Sequence, residues 1–170
     1  LTMRIDDAFL QAAGPQLRVV ANYAVGVDNV DLEAARRRGV VVTNTPDVLT
    51  RSTAEIAIAL LLALLRRVVE GDRYVRSRTP WRFSLEFMLG AGLDGKEVLV
   101  VGPGRIGREV GRLAEAFGAR VGYAGRGDDL DALLPTADVI SINCPSTAET
   151  HHLFDAASLA RMKPSAVLVN

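Results

Sequence analysis

The sequence has little of several features that would point to particular classes of protein. It holds one cysteine, Cys144, so no internal disulfide can form, and we expect a reducing, cytoplasmic setting. Twenty basic and twenty acidic residues give no net charge, which argues against nucleic acid or a membrane surface as a partner. The longest apolar run, Ile56 to Leu65, is far shorter than the roughly 20 residues of a membrane span. The first residues do not have the pattern of a secretion signal, and we expect none.

Strand-like and helix-like segments alternate from Lys96 onward. The strand-like segments are "KEVLVVG", "ARVGYAG", "DVISINC" and "AVLVN", and the helical segments between them are "GRIGREVGRLAEAFG", "DDLDALLPTA" and "DAASLARM". This alternation predicts an α/β fold with a parallel sheet. The strands are apolar on both faces, which indicates a doubly wound sheet with helices on both sides.

The first part of the chain has a pattern of its own. "LRVVANY" and "GVVVTN" resemble short strands, and "DLEAARRRG" between them resembles a helix, so we expect a second βαβ-like unit without a glycine fingerprint. We place the domain boundary near residue 46, with residues 1–46 as part of one domain and residues 47–170 as another. No group of residues suggests a metal site.

Two segments follow that boundary. Ser52 and Glu55 have the spacing of a capping box, which predicts a helix over 52–71 that stands between the domains. Its first half is apolar nearly all round, so we expect it to bury most of its surface. Segment 80–93 is irregular and rich in apolar residues, and such a segment either wraps a neighbour or joins two domains.

A glycine loop follows the first strand of the second domain. Gly102, Gly104 and Gly107 fit the G-x-G-x-x-G pattern between a strand and a helix, which is typical of dinucleotide binding in a Rossmann-type fold. The first glycine permits the tight turn, the second lets a diphosphate approach the backbone, and the third lets the helix lie close to the strand. The helix N-terminus favours phosphate, and we assign Arg105 and Ile106 to the same cofactor-binding set.

The end of the next strand bears on which cofactor is bound. NAD sites usually have an acidic residue there that accepts hydrogen bonds from the ribose, but this strand ends in Gly125 followed by Arg126. Without a carboxylate to repel a 2′-phosphate, and with an arginine to bind it, we predict a preference for NADP(H). The alternative is NAD(H), with Arg126 as a solvated arginine and Asp128 or Asp129 on the ribose.

Taken together, these blocks resemble the D-isomer-specific 2-hydroxyacid dehydrogenases, and most of all their glyoxylate/hydroxypyruvate reductase branch. The resemblance rests on "ANYAVGVDNVDLEAARRRGVVVTNTPDVLTRSTAEIA", "VLVVGPGRIGREV", "ADVISINCPSTAETHHLF" and "MKPSAVLVN", in family order. It implies NAD(P)-dependent hydride transfer to a small 2-keto acid. It also implies that the first domain is part of a flavodoxin-like substrate domain.

The resemblance implies roles for further residues. The backbone N–H groups of Val25 and Gly26 would bind the substrate carboxylate, and Thr53 would lie near the nicotinamide. The cofactor cleft would also be lined by Cys144, Pro145 and Ser146. Segment 80–93 matches an arm that packs across a two-fold axis, which implies a homodimer.

The catalytic arginine, glutamate and histidine of the family follow the position of Asn170. We therefore expect no catalytic residue in this chain, and we expect the chain to be an internal section of a longer protein that alone binds cofactor weakly and turns nothing over. His151 and His152 are not expected to substitute for the missing histidine. The alternatives are a phosphoglycerate, formate or phosphite dehydrogenase of the same family, or a non-catalytic dinucleotide-sensing protein.

Overall fold

The computed structural model of the chain describes residues 3–170. The chain divides into two compact units between Leu49 and Thr50. This division falls three residues beyond the predicted boundary, after residue 46. The first two residues of the predicted range 1–46 lie outside the described residues. The assignment of the first unit to a substrate domain stays a prediction.

The first unit is a small βαβ arrangement preceded by a helix. Helix α1 spans Asp7–Ala13, strand β1 Val19–Ala21, helix α2 Leu32–Arg37 and strand β2 Val41–Thr43. The two strands pair in parallel, which confirms the strands and the helix predicted for this region. Because two strands do not define a doubly wound sheet, the flavodoxin-like assignment stays a prediction. The unit has its own buried core, made of Ile5, Leu10, Val30, Ala34, Ala35 and Val40.

The second unit contains a four-stranded parallel sheet. Its strands are β3 (Glu97–Val101), β4 (Arg120–Ala124), β5 (Val139–Ile142) and β6 (Val167–Val169), in the spatial order β4-β3-β5-β6. All pairs are parallel. Strand β4 thus lies on one side of β3, and β5 lies on the other. The strand order therefore reverses direction beside β3. This confirms the predicted Rossmann-type sheet.

The central strand β3 is buried on both faces. Val98 and Val100 belong to one apolar cluster, whereas Leu99 and Val101 belong to another, as the two-residue period of a strand requires. The helices that alternate with the strands of this sheet are α5 (Arg105–Ala116), α6 (Leu130–Leu133), which continues as a 3₁₀ turn over Leu134–Thr136, and α7 (Ala156–Arg161). Helix α5 covers the first face, and the 3₁₀ turn after α6 covers the second.

Asp138 joins three strands at the N-terminal edge of this sheet. Its Oδ2 accepts a hydrogen bond from the backbone N–H of Glu97 at 2.9 Å, and its Oδ1 accepts one from Nζ of Lys163 at 2.9 Å. Its backbone also bonds to Glu97 and to Val167. The Glu97 N–H and then the Lys163 ammonium hold the pKa of the Asp138 carboxyl below its ordinary value, because both favour the ionised form.

The predicted helix 52–71 is wrong in its bounds. Helix α3 spans Thr50–Leu65, and a separate helix α4 spans Val68–Arg76, with Arg67 between them at a φ of +53°. The backbone N–H of Ala91 donates to the carbonyl of Leu65 at 2.9 Å, so a distant part of the chain packs on the end of α3. That long-range contact ends the helix where its sequence alone would let it continue.

The predicted capping box at the start of this helix is also wrong. Thr50 and Arg51 are already helical, so Ser52 lies inside α3 and cannot be its N-cap. The carboxylate of Glu55 instead accepts a hydrogen bond from Nε of Arg51 at 2.8 Å. The capping motif therefore marks a helix here, but not the residue at which it begins.

The prediction that this helix buries most of its surface is wrong as well. Ala54, Ile58 and Leu61 of α3 are buried in the cluster shared with α5 and β3. The opposite side of α3 remains more than half exposed at Ile56, Leu60 and Leu64 (56%, 52% and 58%). Within the described part of the chain, no helix is long and apolar enough to cross a membrane.

Segment 80–93 is irregular, as predicted. It folds back toward α4, where the ring of Phe87 packs edge-on against Tyr74 with centroids 4.8 Å apart. The Tyr74 hydroxyl donates to the carbonyl of Pro80 at 3.1 Å. Large apolar side chains nevertheless remain exposed along the segment: Trp81, Phe83, Leu85 and Leu89.

Candidate functional site

The loop between β3 and α5 is shaped by its glycines. Gly102 has a φ of +92°, and a Cβ at this position would lie 2.5 Å from the backbone nitrogen of Cys144. A Cβ on Gly107 would collide with the carbonyl oxygen of Gly102 and approach Cγ1 of Val100 to 3.0 Å. Both positions therefore exclude a side chain. They hold the turn against the segment after β5 and hold α5 against β3.

Gly104 differs from the other two glycines because a Cβ on it would meet no protein atom within 4 Å. It is the N-cap of α5 and makes no side-chain capping bond. The first-turn N–H groups of a helix have no intrahelical partner, and together with the helix dipole they favour an anion. The space beside Gly104 is thus open on the side where such an anion would approach.

A cavity of about 630 Å³ lies at this C-terminal edge of the sheet. It is bounded by the glycine loop, by the turn after β4 and by the segment after β5, which is where open parallel sheets bind ligands. Six of the predicted cofactor residues line it: Gly102, Gly104, Gly125, Arg126, Cys144 and Pro145.

The other predicted residues do not line this cavity. Arg105 and Ile106 are the first residues of α5, Gly107 is buried beneath the loop, and Ser146 belongs to the segment after β5. Thr53 lies in α3. For all of these residues, binding of a cofactor stays a prediction.

The segment after β5 is held in place by its own hydrogen bonds. Oγ1 of Thr150 donates to the carbonyl of Pro145 at 2.6 Å and accepts from the backbone N–H of Thr147 at 2.8 Å. The N–H of Asn143 donates to the carbonyl of Val101 at 2.7 Å, which continues the pairing of β5 with β3. Cys144 is a free cysteine and borders the cavity on a backbone that these bonds hold in place.

The turn after β4 contains both aspartates that the sequence offered for the NAD(H) alternative, Asp128 and Asp129. Oδ2 of Asp128 accepts a hydrogen bond from the N–H of Gly125 at 2.7 Å, and Asp128 lines the cavity. A carboxylate thus lies just beyond the end of β4, which the structure places at Ala124, one residue before the predicted Gly125. Asp129 instead caps α6 by accepting from the N–H of Ala132 at 3.2 Å.

Arg126 has a partner on the other side of β3. Its Nη2 lies 3.1 Å from Oε2 of Glu149, a residue of the segment after β5. Both side chains are strongly exposed, at 88% and 71%. Both residues line the cavity. No local pattern identified Glu149, because the pair joins residues 23 positions apart.

Val25 and Gly26 lie in the first unit, in the loop between β1 and α2. The Val25 carbonyl accepts from Nδ2 of Asn44 at 2.9 Å, and the Gly26 carbonyl accepts from Nδ2 of Asn22 at 2.7 Å. The preceding carbonyl, that of Ala24, accepts from the N–H of Thr45 at 3.0 Å. In a trans peptide the N–H points opposite to the carbonyl of the preceding residue, so the bonds to the Ala24 and Val25 carbonyls direct the N–H groups of Val25 and Gly26 away from Thr45 and Asn44. No sequence pattern indicated a role for these two asparagines.

The side chains that could bind a metal ion do not cluster in the described part of the chain. Among residues 3–170, no group of three or more histidine, cysteine, aspartate or glutamate side chains could hold a metal ion. His151 and His152 pack against each other, with ring centroids 3.8 Å apart. Neither histidine lines the cavity described above.

The glycine loop lies in the first crossover of a parallel sheet, and the cavity lies where the strand order reverses. These two features define a Rossmann-type dinucleotide-binding protein. A family model described as D-isomer specific 2-hydroxyacid dehydrogenase, NAD binding domain, matches residues 58–170. The chain belongs to this family, as its sequence predicted. The glycine cradle fits a dinucleotide diphosphate, because two of its glycines exclude a side chain and the third leaves open space.

The relatives agree with this assignment. The glyoxylate reductase of Thermococcus litoralis is 43% identical over 189 residues, covering 100% of this chain and 56% of the relative. That of Korarchaeum cryptofilum is 45% identical over 185 residues, covering 100% and 55%. The solved structure of the TT0316 protein from Thermus thermophilus has a TM-score of 0.91 and 47% identity, covering 97% of this chain and 55% of that one. The chain thus spans about half the length of the curated relatives it matches.

Proposed function

We propose that the protein is an NAD(P)-dependent reductase of glyoxylate, hydroxypyruvate or a related small 2-keto acid. The observation that carries this proposal is the cradle at Gly102, Gly104 and Gly107, which borders the cavity in a chain of this family. The relatives named glyoxylate reductase support the substrate class. When bound, the dinucleotide supplies the hydride. This chain's residues bind and orient it.

The diphosphate would lie against Gly104 and the first-turn N–H groups of Arg105 and Ile106. Gly107 would act indirectly, by letting α5 approach β3. Cys144 and Pro145 would form the wall of the cleft opposite the glycine loop, with Ser146 beside them and Thr53 nearer the nicotinamide. The N–H groups of Val25 and Gly26 would bind the substrate carboxylate. No residue of this chain is assigned the proton transfer to the substrate.

We propose NADP(H) as the preferred cofactor, because Arg126 lines the cavity beyond the end of β4 and can pair with a 2′-phosphate. One observation favours the alternative, NAD(H): Asp128 holds a carboxylate at the N–H of Gly125, near where a ribose-binding acid would lie. Because Asp129 serves as the cap of α6, it is the weaker candidate of the two aspartates.

We also propose that the protein is a homodimer. The exposed side of α3, at Ile56, Leu60 and Leu64, and the apolar side chains of segment 80–93 are surfaces that a second copy would cover. A cytoplasmic location remains our expectation from the single cysteine.

The test is a substrate panel on the full-length protein, run separately with NADPH and NADH. We expect reduction of glyoxylate or hydroxypyruvate with a higher kcat/KM for NADPH. A higher kcat/KM for NADH would reject the cofactor preference alone. Dinucleotide binding without turnover of any 2-keto acid would reject the enzymatic proposal and favour a dinucleotide-sensing protein.

A further inference from the structure

The cation predicted to recognise the cofactor's 2′-phosphate already has an anionic partner. Nη2 of Arg126 is 3.1 Å from Oε2 of Glu149. The two residues lie on segments that follow β4 and β5, the strands on either side of β3. Since both residues also line the cavity, the ion pair joins two walls of the site, on either side of the glycine loop that follows β3.

The charges at the Arg126 end of the cavity do not strongly favour the 2′-phosphate of NADP(H). Arg126 contributes one positive charge, whereas Asp128 and Glu149 each contribute a carboxylate. Asp128 is held by the N–H of Gly125 at 2.7 Å, so it is fixed on the turn. Glu149 has its ion pair with Arg126, and its side chain is 71% exposed, which leaves it able to swing into solvent.

We propose that Glu149 is a specificity-determining residue that limits how strongly this site prefers NADP(H) over NAD(H). This inference rests on the proposed function, and it names the residue that sets the preference. A 2′-phosphate must exchange with the Glu149 carboxylate at Nη2 of Arg126, or share the guanidinium with that carboxylate against the repulsion of two anions. A 2′-hydroxyl is uncharged and does not require that exchange. Glu149 therefore lowers affinity for the phosphorylated dinucleotide and leaves the other nearly unchanged.

The size of the effect follows from the exposure of the pair. Exposed ion pairs are worth little because water and salt screen them, so replacing Glu149 corresponds to about a two- to fivefold change in affinity. Removal of the carboxylate also removes its repulsion of the phosphate, which acts in the same direction. The sign is therefore fixed: loss of the Glu149 charge tightens NADP(H).

The experiment uses the full-length protein and its Glu149→Gln, Arg126→Gln and double variants. Dissociation constants are measured by calorimetry for NADPH, NADH, adenosine 2′,5′-bisphosphate and 5′-AMP. The last two probes isolate the ribose end without the nicotinamide. Glu97→Gln is the matched control, because Glu97 pairs with Arg120 at 2.5 Å on the same sheet but at its opposite, N-terminal edge.

We expect Glu149→Gln to bind NADPH and adenosine 2′,5′-bisphosphate about two- to fivefold more tightly, with NADH and 5′-AMP changed by less than about twofold. The gain should vanish in the Arg126→Gln background, since the pair acts through Arg126. Glu97→Gln should leave all four constants unchanged.

Unchanged or weaker NADPH binding in Glu149→Gln, with dinucleotide binding intact, overturns this inference and leaves the proposed function standing. An equal gain for NADH and NADPH overturns it too, because the effect would then be general. If the wild-type protein binds neither dinucleotide, the proposed function fails and this inference fails with it.

Discussion

Gly102 and the main chain of Cys144 are so close that a Cβ on Gly102 would lie 2.5 Å from the Cys144 nitrogen. Gly102 also has a φ of +92°, in a region that side chains rarely adopt. The turn that begins the glycine loop therefore packs directly against the backbone that follows β5, and neither can shift without the other. A side chain at this point would move both walls of the cavity.

Gly102→Ala should destabilise the protein by at least about 2 kcal/mol, because positive φ and the collision with Cys144 both disfavour alanine. Dinucleotide affinity should fall at the same time. Thermal unfolding and calorimetry measure the two effects. Gly122→Ala is the control, since a Cβ on that glycine of β4 would meet nothing within 4 Å. A Gly102→Ala protein as stable as wild type would contradict the geometry.

Gly104→Ala should separate binding from folding. Its Cβ meets no protein atom, so stability should change by about 1 kcal/mol or less. The methyl group would occupy space that a diphosphate needs, so affinity for NADPH and NADH should fall about tenfold or more through lost phosphate hydrogen bonds. Equal weakening of both cofactors is expected, as both carry the diphosphate. Full affinity in this variant would place the diphosphate elsewhere.

Asp138→Asn should destabilise the second unit by about 1–2 kcal/mol, because the hydrogen bonds to Glu97 and Lys163 lose their charge. The pKa of this carboxyl is lowered on folding, so its contribution is present above the ordinary aspartate pKa and is lost as pH falls through the folded value. The stability difference from wild type should therefore shrink below about pH 4. Urea titrations from neutral to acidic pH measure it. A constant difference would mean that the charge contributes nothing.

Asn44→Ala should impair substrate binding without affecting the cofactor. The Asn44 side chain holds the Val25 carbonyl at 2.9 Å and so orients the next N–H, that of Gly26. We expect KM for the keto acid in the full-length enzyme to rise about two- to tenfold, with the NADPH dissociation constant unchanged. Asn29→Ala is the control, because its side chain bonds to the Met3 carbonyl instead. Equal KM values for wild type and Asn44→Ala would remove this asparagine from the site.

Leu85→Glu should convert a dimer into a monomer. Leu85 is 82% exposed on segment 80–93, and a buried charge at a two-fold interface would lack a partner. Size-exclusion chromatography with light scattering measures the molar mass of the eluted protein directly. Leu159→Glu, on the half-exposed face of α7, should leave the mass unchanged. A wild-type protein that is already monomeric would reject the proposed assembly.

The sheet of the second unit could be predicted from sequence because its information is local. The runs around Val98–Val101 and Val139–Ile142 are apolar and β-branched, and glycines punctuate the turns beside them. The glycine loop could likewise be placed, since Gly102 and Gly107 are required by close contacts within the same βαβ unit or with the strand beside it, and Gly104 is the N-cap of α5. Periodicity and turn chemistry are enough for such elements.

The errors arose where distant residues decide the outcome. The end of α3 is set by Ala91 bonding to Leu65, and no pattern within the helix encodes that contact. The partner of Arg126 is Glu149, which lies on another strand's loop. The sequence named Asp128 and Asp129 together as candidates for the ribose, and only the structure separates them, because Asp128 accepts a hydrogen bond from Gly125 whereas Asp129 caps α6.

The cofactor's diphosphate and its adenosine ribose would thus be recognised by parts of the molecule that differ in their tolerance for substitution. The diphosphate cradle is closed to side chains at Gly102 and Gly107. At the ribose end, Arg126 and Glu149 are exposed, and a methyl group on Gly125 would meet its nearest neighbour, Cγ of Pro103, at an ordinary 3.5 Å. Exposed substitutions usually change stability by no more than about 0.5 kcal/mol. Substitutions at this end of the cavity can therefore change the preference between NADP(H) and NAD(H) while the fold stays the same.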